Sequence, residues 1–258
     1  MTCCQTGQSG DNRSMSNQRR AGSLVTGIVL FRHSTGMPCP YLPGRVERQV
    51  YAELSEPTSR EVFRRLSAAG FRRSHHITYR PACPGCSACV PVRVPVDRFE
   101  WTRSWRRIWN ANRSLSAEDV ALTIDDEQYR LFRRYVRSRH SDGDMVLMNR
   151  GDYASMILTS SVDTTIIEFR EEGVLRAACL IDILPDGLSA VYSFFDPDLH
   201  RRSPGSYMVL WLIEEARRRG LAHVYLGFWI ADSPKMAYKS RFRPLEGFGH
   251  DGWALLRP

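Results

Sequence analysis

A chain of 258 residues, 43% hydrophobic and 25% charged, has the composition of a folded protein and enough length for one large domain or two small ones. Its formal charge of +8 favours an anionic partner, and no apolar run approaches the roughly 20 residues that span a bilayer, so no membrane partner is expected. Seven cysteines, an odd number in a chain too large to need disulfides, and an N-terminus without an apolar secretory segment point to a reducing cytoplasm.

Residues 1–36 read as a mostly disordered tail: the first twenty or so are rich in Ser, Asn, Gln, Gly and Arg and offer little apolar surface to offset the entropy of ordering. Met15 and Met37 are both plausible starts, so Cys3 and Cys4 carry little weight. From Cys39 to Arg48, two prolines and a glycine force a defined turn. Thr58 and Glu61 have capping-box spacing at the head of a helix that buries Val62, Leu66 and Ala69 and stops at Gly70. His75 to Tyr79 reads as a strand entering a loop that holds Cys83, Cys86 and Cys89 around Pro84-Gly85. Val90, Val92, Val94 and Val96 alternate as the strand leaving it, and Pro91 and Pro95 assign that strand to a sheet edge or a bulge.

Three thiols in one loop, with Cys39 as the natural fourth and His75 and His76 behind it, could converge on zinc or an iron–sulfur cluster. The alternatives are small buried hydrophobes beside a tight turn and redox-sensitive thiols without metal.

Trp101, Trp105 and Trp109 recur at every fourth residue, interleaved with Arg103, Arg106, Arg107 and Arg113. A helix here shows indoles on one face and guanidinium groups on the other, a credible RNA surface. The alternative is a docked helix with solvated arginines; a compromise puts indoles inward and arginines out. Val120 to Ile124 alternates as a strand, Asp125 opens a helix with Gln128 at the box position, and residues 140–152 form a loop of the length that lids have. Segments 163–170, 174–184 and 188–195, separated by Glu172-Gly173 and Asp186-Gly187, make an antiparallel meander. A helix opening at Arg201 to Ser206 and ending at Gly220, then a strand over 224–230, complete the pattern.

Meander, glycine-bearing turn, helix and strand in that order predict an α+β acyltransferase fold of GNAT-like type: a mixed, mostly antiparallel sheet with flanking helices, plus an N-terminal Cys-containing α+β subdomain. The expected division places that transferase domain at 37–118 and the GNAT-like domain at 119–258. Arg202, Gly205 and Ser206 partly match an anion-gripping turn at a helix N-terminus.

Four segments carry a family resemblance: Cys-Pro-Tyr-Leu-Pro-Gly-Arg (39–45), Tyr-Arg-Pro-Ala-Cys-Pro-Gly-Cys (79–86), Leu-Pro-Asp-Gly-Leu-Ser-Ala-Val-Tyr (184–192) and Lys-Met-Ala-Tyr-Lys-Ser-Arg-Phe-Arg-Pro (235–244). Together they resemble the aminoacyl-tRNA–protein transferases, in particular the bacterial branch related to eukaryotic arginyltransferases, from about Cys39 to about Pro244. The resemblance implies transfer of an amino acid from charged tRNA to the N-terminal amine of proteins that begin with Asp or Glu, creating an N-degron. It implies leucyl-tRNA as donor on branch resemblance, with arginyl-tRNA as the alternative. Where the family often has Gln, this chain has Trp105; where eukaryotic members have a second cysteine, it has Leu42.

The donor ester is already activated and an α-amine titrates near ~8, so orientation and polarisation are expected to dominate, with no cofactor required. Tyr238, Lys235 and Lys239 are the expected catalytic groups. Arg202, Gly205 and Tyr207 near the glycine turn, and Arg80, Arg241 and Arg243 as cations for an acidic N-terminal side chain, are the expected substrate contacts. Arg103, Arg106 and Arg107 are expected to meet tRNA. A coenzyme A-dependent N-acetyltransferase and a non-catalytic RNA-binding protein remain the rival readings.

Overall fold

The computed structural model describes residues 28–139 and 143–257. The expected tail up to residue 27 and the first three residues of the expected lid loop lie outside these. Arg32–His33 (β1), within the segment expected to be a tail, pairs with Tyr51 and Val50.

After β1 come a two-residue ribbon, Met37–Pro38 (β2) with Val46–Glu47 (β3), and Gln49–Glu53 (β4). Helix α1 (Ser59–Ala68) leads into β5 (Arg72–Ser74), β6 (Ile77–Pro81) and β7 (Val90–Pro95). Then follow α2 (Arg103–Ala111), β8 (Ser116–Val120), α3 (Asp126–Arg139), α4 (Arg150–Leu158), β9 (Thr164–Glu171), β10 (Val174–Leu184) and β11 (Gly187–Phe195). Helix α5 (Pro204–Arg218), β12 (His223–Trp229), α6 (Pro234–Ala237), β13 (Glu246–Gly249) and β14 (Gly252–Leu255) finish the chain.

Eight strands form one sheet in the order β14-β13-β7-β12-β11-β10-β9-β8, and β1-β4-β6-β5 form a small antiparallel one. In the large sheet only β11 and β12 run parallel, as the α5 crossover between them requires. Helices α3 and α5 pack on β10, β11 and β12, and a single large apolar cluster runs through them. The mixed, mostly antiparallel sheet with flanking helices matches the fold class read from the sequence. The boundary expected between 118 and 119 falls inside β8, and β7 joins the large sheet between β13 and β12.

That position rules out the edge alternative, whereas the bulge alternative has support in the register shift of the β12–β7 ladder between Tyr225 and Gly227. β13 engages β7 only at Val92 and Arg93, so Pro91 and Pro95, which lack an N–H, lie outside that short ladder. The capping box at Thr58 does not form: its backbone is already helical and Glu61 is held by Arg64 and Arg65 instead. Asp125 does cap α3, accepting from Gln128 N at 2.6 Å, whereas the Gln128 side chain turns inward and donates to Glu168 at 2.6 Å. The strand expected over 120–124 ends at Val120.

A buried ion pair fixes the small sheet to the large one. Arg73 of β5 is bidentate on Asp182 of β10 (2.7–3.0 Å), with side chains 1% and 0% exposed. Thr164 Oγ1 adds a bond to Asp182, and Arg73 Nη1 donates to the His75 carbonyl. A desolvated pair is tolerable only when its remaining hydrogen-bonding capacity is used in this way.

Candidate active site

The parallel strands β11 and β12 pair only at Gly187–His223, Leu188–Val224 and Ser189–Tyr225. Beyond Ser189 and Tyr225 they part, and the guanidinium of Arg72, carried on the neighbouring β5, stands at the fork. Its Nη2 donates to the Ala190 carbonyl at 2.6 Å, with Val191 O at 3.5 Å. Its Nη1 lies against Gly227 so closely that a Cβ at that position would sit 2.1 Å away. Gly227 has φ 78° and follows a register shift in the β12–β7 ladder, so the position demands glycine twice over: for its backbone and for the arginine above it.

One residue further along β12, the Phe228 carbonyl accepts a 2.6 Å bond from Lys239 Nζ, which also lies 3.3 Å from Met236 Sδ. Lys239 is 7% exposed. Desolvation, and then the positive field of Arg72, bring its pKa from the ordinary lysine range down to about 7. Near neutral pH it therefore offers a large fraction of neutral amine, as a general base must. Tyr238 exposes 42% of its surface, yet burial pushes its hydroxyl up to about 12; Tyr135 and Cys179 add to the shift and Arg72 opposes it. Further along β11, burial also raises the Tyr192 hydroxyl, which has no partner among the described residues; Trp229 Nε1, at the end of β12, is likewise unpaired there.

The sequence-expected residues divide. Tyr238 and Lys239 meet at this fork, and Lys235 is exposed on α6 beside it. Arg241 lies 5.0 Å from the ring of Trp105, which stacks on Phe242 at 4.6 Å; Phe242 in turn meets Tyr238 edge-on. Through these rings α2 adjoins the fork, with Arg103, Arg106 and Arg107 exposed and Trp105 buried: indoles in, arginines out. Arg243 is exposed and lines a shallow cavity of about 280 Å³ with Glu100, Ser240 and Arg257.

The remaining expected contacts are engaged within the protein. Arg202 forms a 2.8 Å ion pair with Glu171, Gly205 allows α5 to approach Phe195, and Tyr207 packs in the core between Trp109 and Phe169. Arg80 lies over Phe71 and Phe248 and donates to the Ala69 carbonyl. Arg72 and Gly227 escaped the sequence reading. A lone glycine inside the apolar strand 224–230 was the available signal, since it marks a bulge or a close approach.

The four thiols Cys39, Cys83, Cys86 and Cys89 do gather: burial raises Cys89 to about 11, and Cys83, Cys39 and Cys86 add to the rise. Yet among the described residues no group of three or more His, Cys, Asp or Glu side chains is arranged to hold a metal ion. Cys83 Sγ is engaged by the Arg48 backbone on both sides, accepting from its N–H at 3.4 Å and donating to its carbonyl at 3.5 Å. A metal needs thiolates, and burial favours the protonated form of Cys89.

The parallel fork in a mostly antiparallel sheet brings together a buried lysine with a depressed pKa and an arginine that has no carboxylate partner among the described residues, with a basic helix alongside, an arrangement with the chemistry of acyl transfer. The chain belongs to the arginine-tRNA-protein transferase family: residues 37–107 match the N-terminal model of that family and residues 127–249 its C-terminal model. It is 56% identical to an aspartate/glutamate leucyltransferase of Paramagnetospirillum magneticum, over 86% of this chain and 91% of the relative, and 53% identical to one of Rhodospirillum rubrum, over 84% and 89%. Among solved structures, FemX aligns over 69% of this chain and 62% of its own at 9% identity, with a TM-score of 0.43. Among the described residues no helix is long and apolar enough to cross a membrane.

Proposed function

We propose that this protein is a cytoplasmic enzyme that transfers leucine from leucyl-tRNA to the N-terminal α-amine of proteins beginning with Asp or Glu. The observation that carries the reading is the buried Lys239 amine, held near neutrality one residue along β12 from the Arg72 cation. The acceptor nitrogen attacks the ester carbonyl, the new amide bond forms, and the bond to the tRNA 3′ oxygen breaks. Lys239 takes the proton released from the amine and returns it to that oxygen, so no external base is consumed. Tyr238, whose hydroxyl stays protonated at neutral pH, supplies a donor for the oxyanion that develops in between.

The parting of β11 and β12 supports a GNAT-like reading of the sheet, and it suits a linear donor end entering between two strands. The arginines of α2, Arg103, Arg106 and Arg107, together with Arg241, would meet the acceptor stem, because guanidinium groups pair with phosphates and this helix adjoins the fork. Incubation of the protein with an Asp-starting peptide and, separately, leucyl-tRNA, arginyl-tRNA or acetyl-coenzyme A, followed by mass measurement, tests the reading. A gain of one leucyl residue from leucyl-tRNA is expected; a gain from acetyl-coenzyme A alone, or none from either charged tRNA, overturns it.

A further inference from the structure

Arg72 has no carboxylate within ion-pair distance among the described residues, although it is half-buried. Of its donors, only Nη2 is used among the described residues, on the Ala190 and Val191 carbonyls. A guanidinium removed in part from water and left without a counter-ion is costly unless something else in the functional cycle neutralises it. The surroundings sharpen the point: the ionisable groups whose properties it alters are Tyr41, Tyr79, Tyr238 and Lys239, three phenols and a second cation. Nearby Glu47 bonds to Gln49 instead, and its charge is felt at Tyr41 and Tyr79.

Its position is also held tightly. Arg73, the next residue on β5, is locked in the buried pair with Asp182, and successive strand residues point to opposite faces, so the strand that presents Arg72 is clamped from behind. In front, Gly227 leaves room for the guanidinium and for little else.

We propose that Arg72 is the specificity-determining residue of the acceptor site: its Nε–H, unbonded among the described residues and on the same edge as Nη2, binds the side-chain carboxylate of an N-terminal Asp or Glu, placing the adjoining α-amine at Lys239. The proposal rests on the aminoacyl-transfer reading and adds the group that recognises the acceptor. The carboxylate supplies the charge that the fork lacks, and a charge-assisted bond to a fixed fork of donors discriminates sharply against the isosteric amide. The cations expected from sequence for this task are otherwise engaged or exposed: Arg80 over two aromatic rings, Arg241 on Trp105, Arg243 on the surface.

The test compares transfer from leucyl-tRNA to peptides differing only in an N-terminal Asp, Glu or Asn, with wild type, Arg72→Gln, Arg72→Lys and Gly227→Ala. For wild type, kcat/KM should favour Asp over Asn strongly. In Arg72→Gln that ratio should collapse by roughly 10–100-fold, chiefly through a higher KM for Asp; the effect of losing the Arg72 field at Lys239 is common to both peptides and cancels in the ratio. Arg72→Lys should recover part of the ratio, since it keeps the charge and loses the fork. Gly227→Ala, which displaces the guanidinium without removing it, should lower the ratio as Arg72→Gln does. Circular dichroism reports folding. An unchanged Asp/Asn ratio in Arg72→Gln, with turnover retained, overturns the proposal and leaves the transfer reading standing. Inactive wild type on every peptide sinks the transfer reading itself.

Discussion

Replacing Lys239 by Met should stabilise the protein, and more at low pH than at high. Charging a buried amine whose pKa has fallen from about 10.5 to about 7 costs about 5 kcal/mol relative to the unfolded chain. The sign follows from proton binding: below pH 7 both states carry the proton and the full penalty is present. Between 7 and 10.5 the unfolded state binds more protons, so stability rises with pH, and above 10.5 the penalty is gone. From pH 6.5 to 9.5 the wild type should therefore gain about 3 kcal/mol that Lys239→Met does not, read as the pH dependence of the difference between their urea midpoints. The same lysine predicts that kcat rises with pH through an apparent value near 7, because the base must be neutral, and that the Met variant loses transfer. A difference in stability that does not move with pH, together with a kcat profile flat through 7, would refute the depressed lysine and its role as base.

Three further outcomes follow from the structure. Arg73→Met or Asp182→Asn alone should cost about 3–5 kcal/mol in denaturant unfolding, whereas the paired replacement Arg73→Met with Asp182→Leu should recover most of it; equal losses in single and double variants would show that the pair is not the anchor. Changing Arg103, Arg106 and Arg107 to Gln should weaken tRNA binding and flatten its salt dependence by about 0.7–0.9 in log–log slope for each phosphate left unpaired, with the fold intact by circular dichroism; an unchanged slope removes α2 from the interface. Iodoacetamide at pH 8 should spare Cys89 and Cys179, raised to about 11 and about 12, until the protein is unfolded. Rapid labelling of Cys89, or equimolar zinc or iron that Cys86→Ser abolishes, would show that the loop holds thiolates after all.

Period and punctuation made most of the sheet legible. The Glu172-Gly173 turn joins β9 to β10 as read, while the second turn falls one residue earlier, on Pro185-Asp186, with Gly187 already in β11; Trp105 and Trp109 at helical spacing lie on the inner side of α2, whereas Trp101 precedes the helix and packs edge-on against Trp109. What stayed hidden depends on distant partners. Pro91 and Pro95 argue locally for an edge, yet β13, about 150 residues later in the chain, pairs only with the residues between them. Thr58 and Glu61 have the spacing of a box, but two arginines one turn on compete for the carboxylate. In the site, Tyr238 and Lys239 sit in a conspicuous basic-aromatic motif and could be named. Arg72 could not, because nothing in Phe-Arg-Arg-Ser separates the arginine that anchors from the one that faces the fork.

Those neighbouring arginines bear on how the chain can be divided. The family's two sequence segments invite separation between residues 107 and 127, but Arg72 lies in the first and Gly227, Phe228 and Lys239 in the second. Each fragment would carry half of a reaction centre, and the first would also leave Asp182 of the second as an uncompensated charge. Mixing the fragments could restore activity only if β5 docks again across β10, β11 and β12, so recovery of turnover would report reassembly of that one strand.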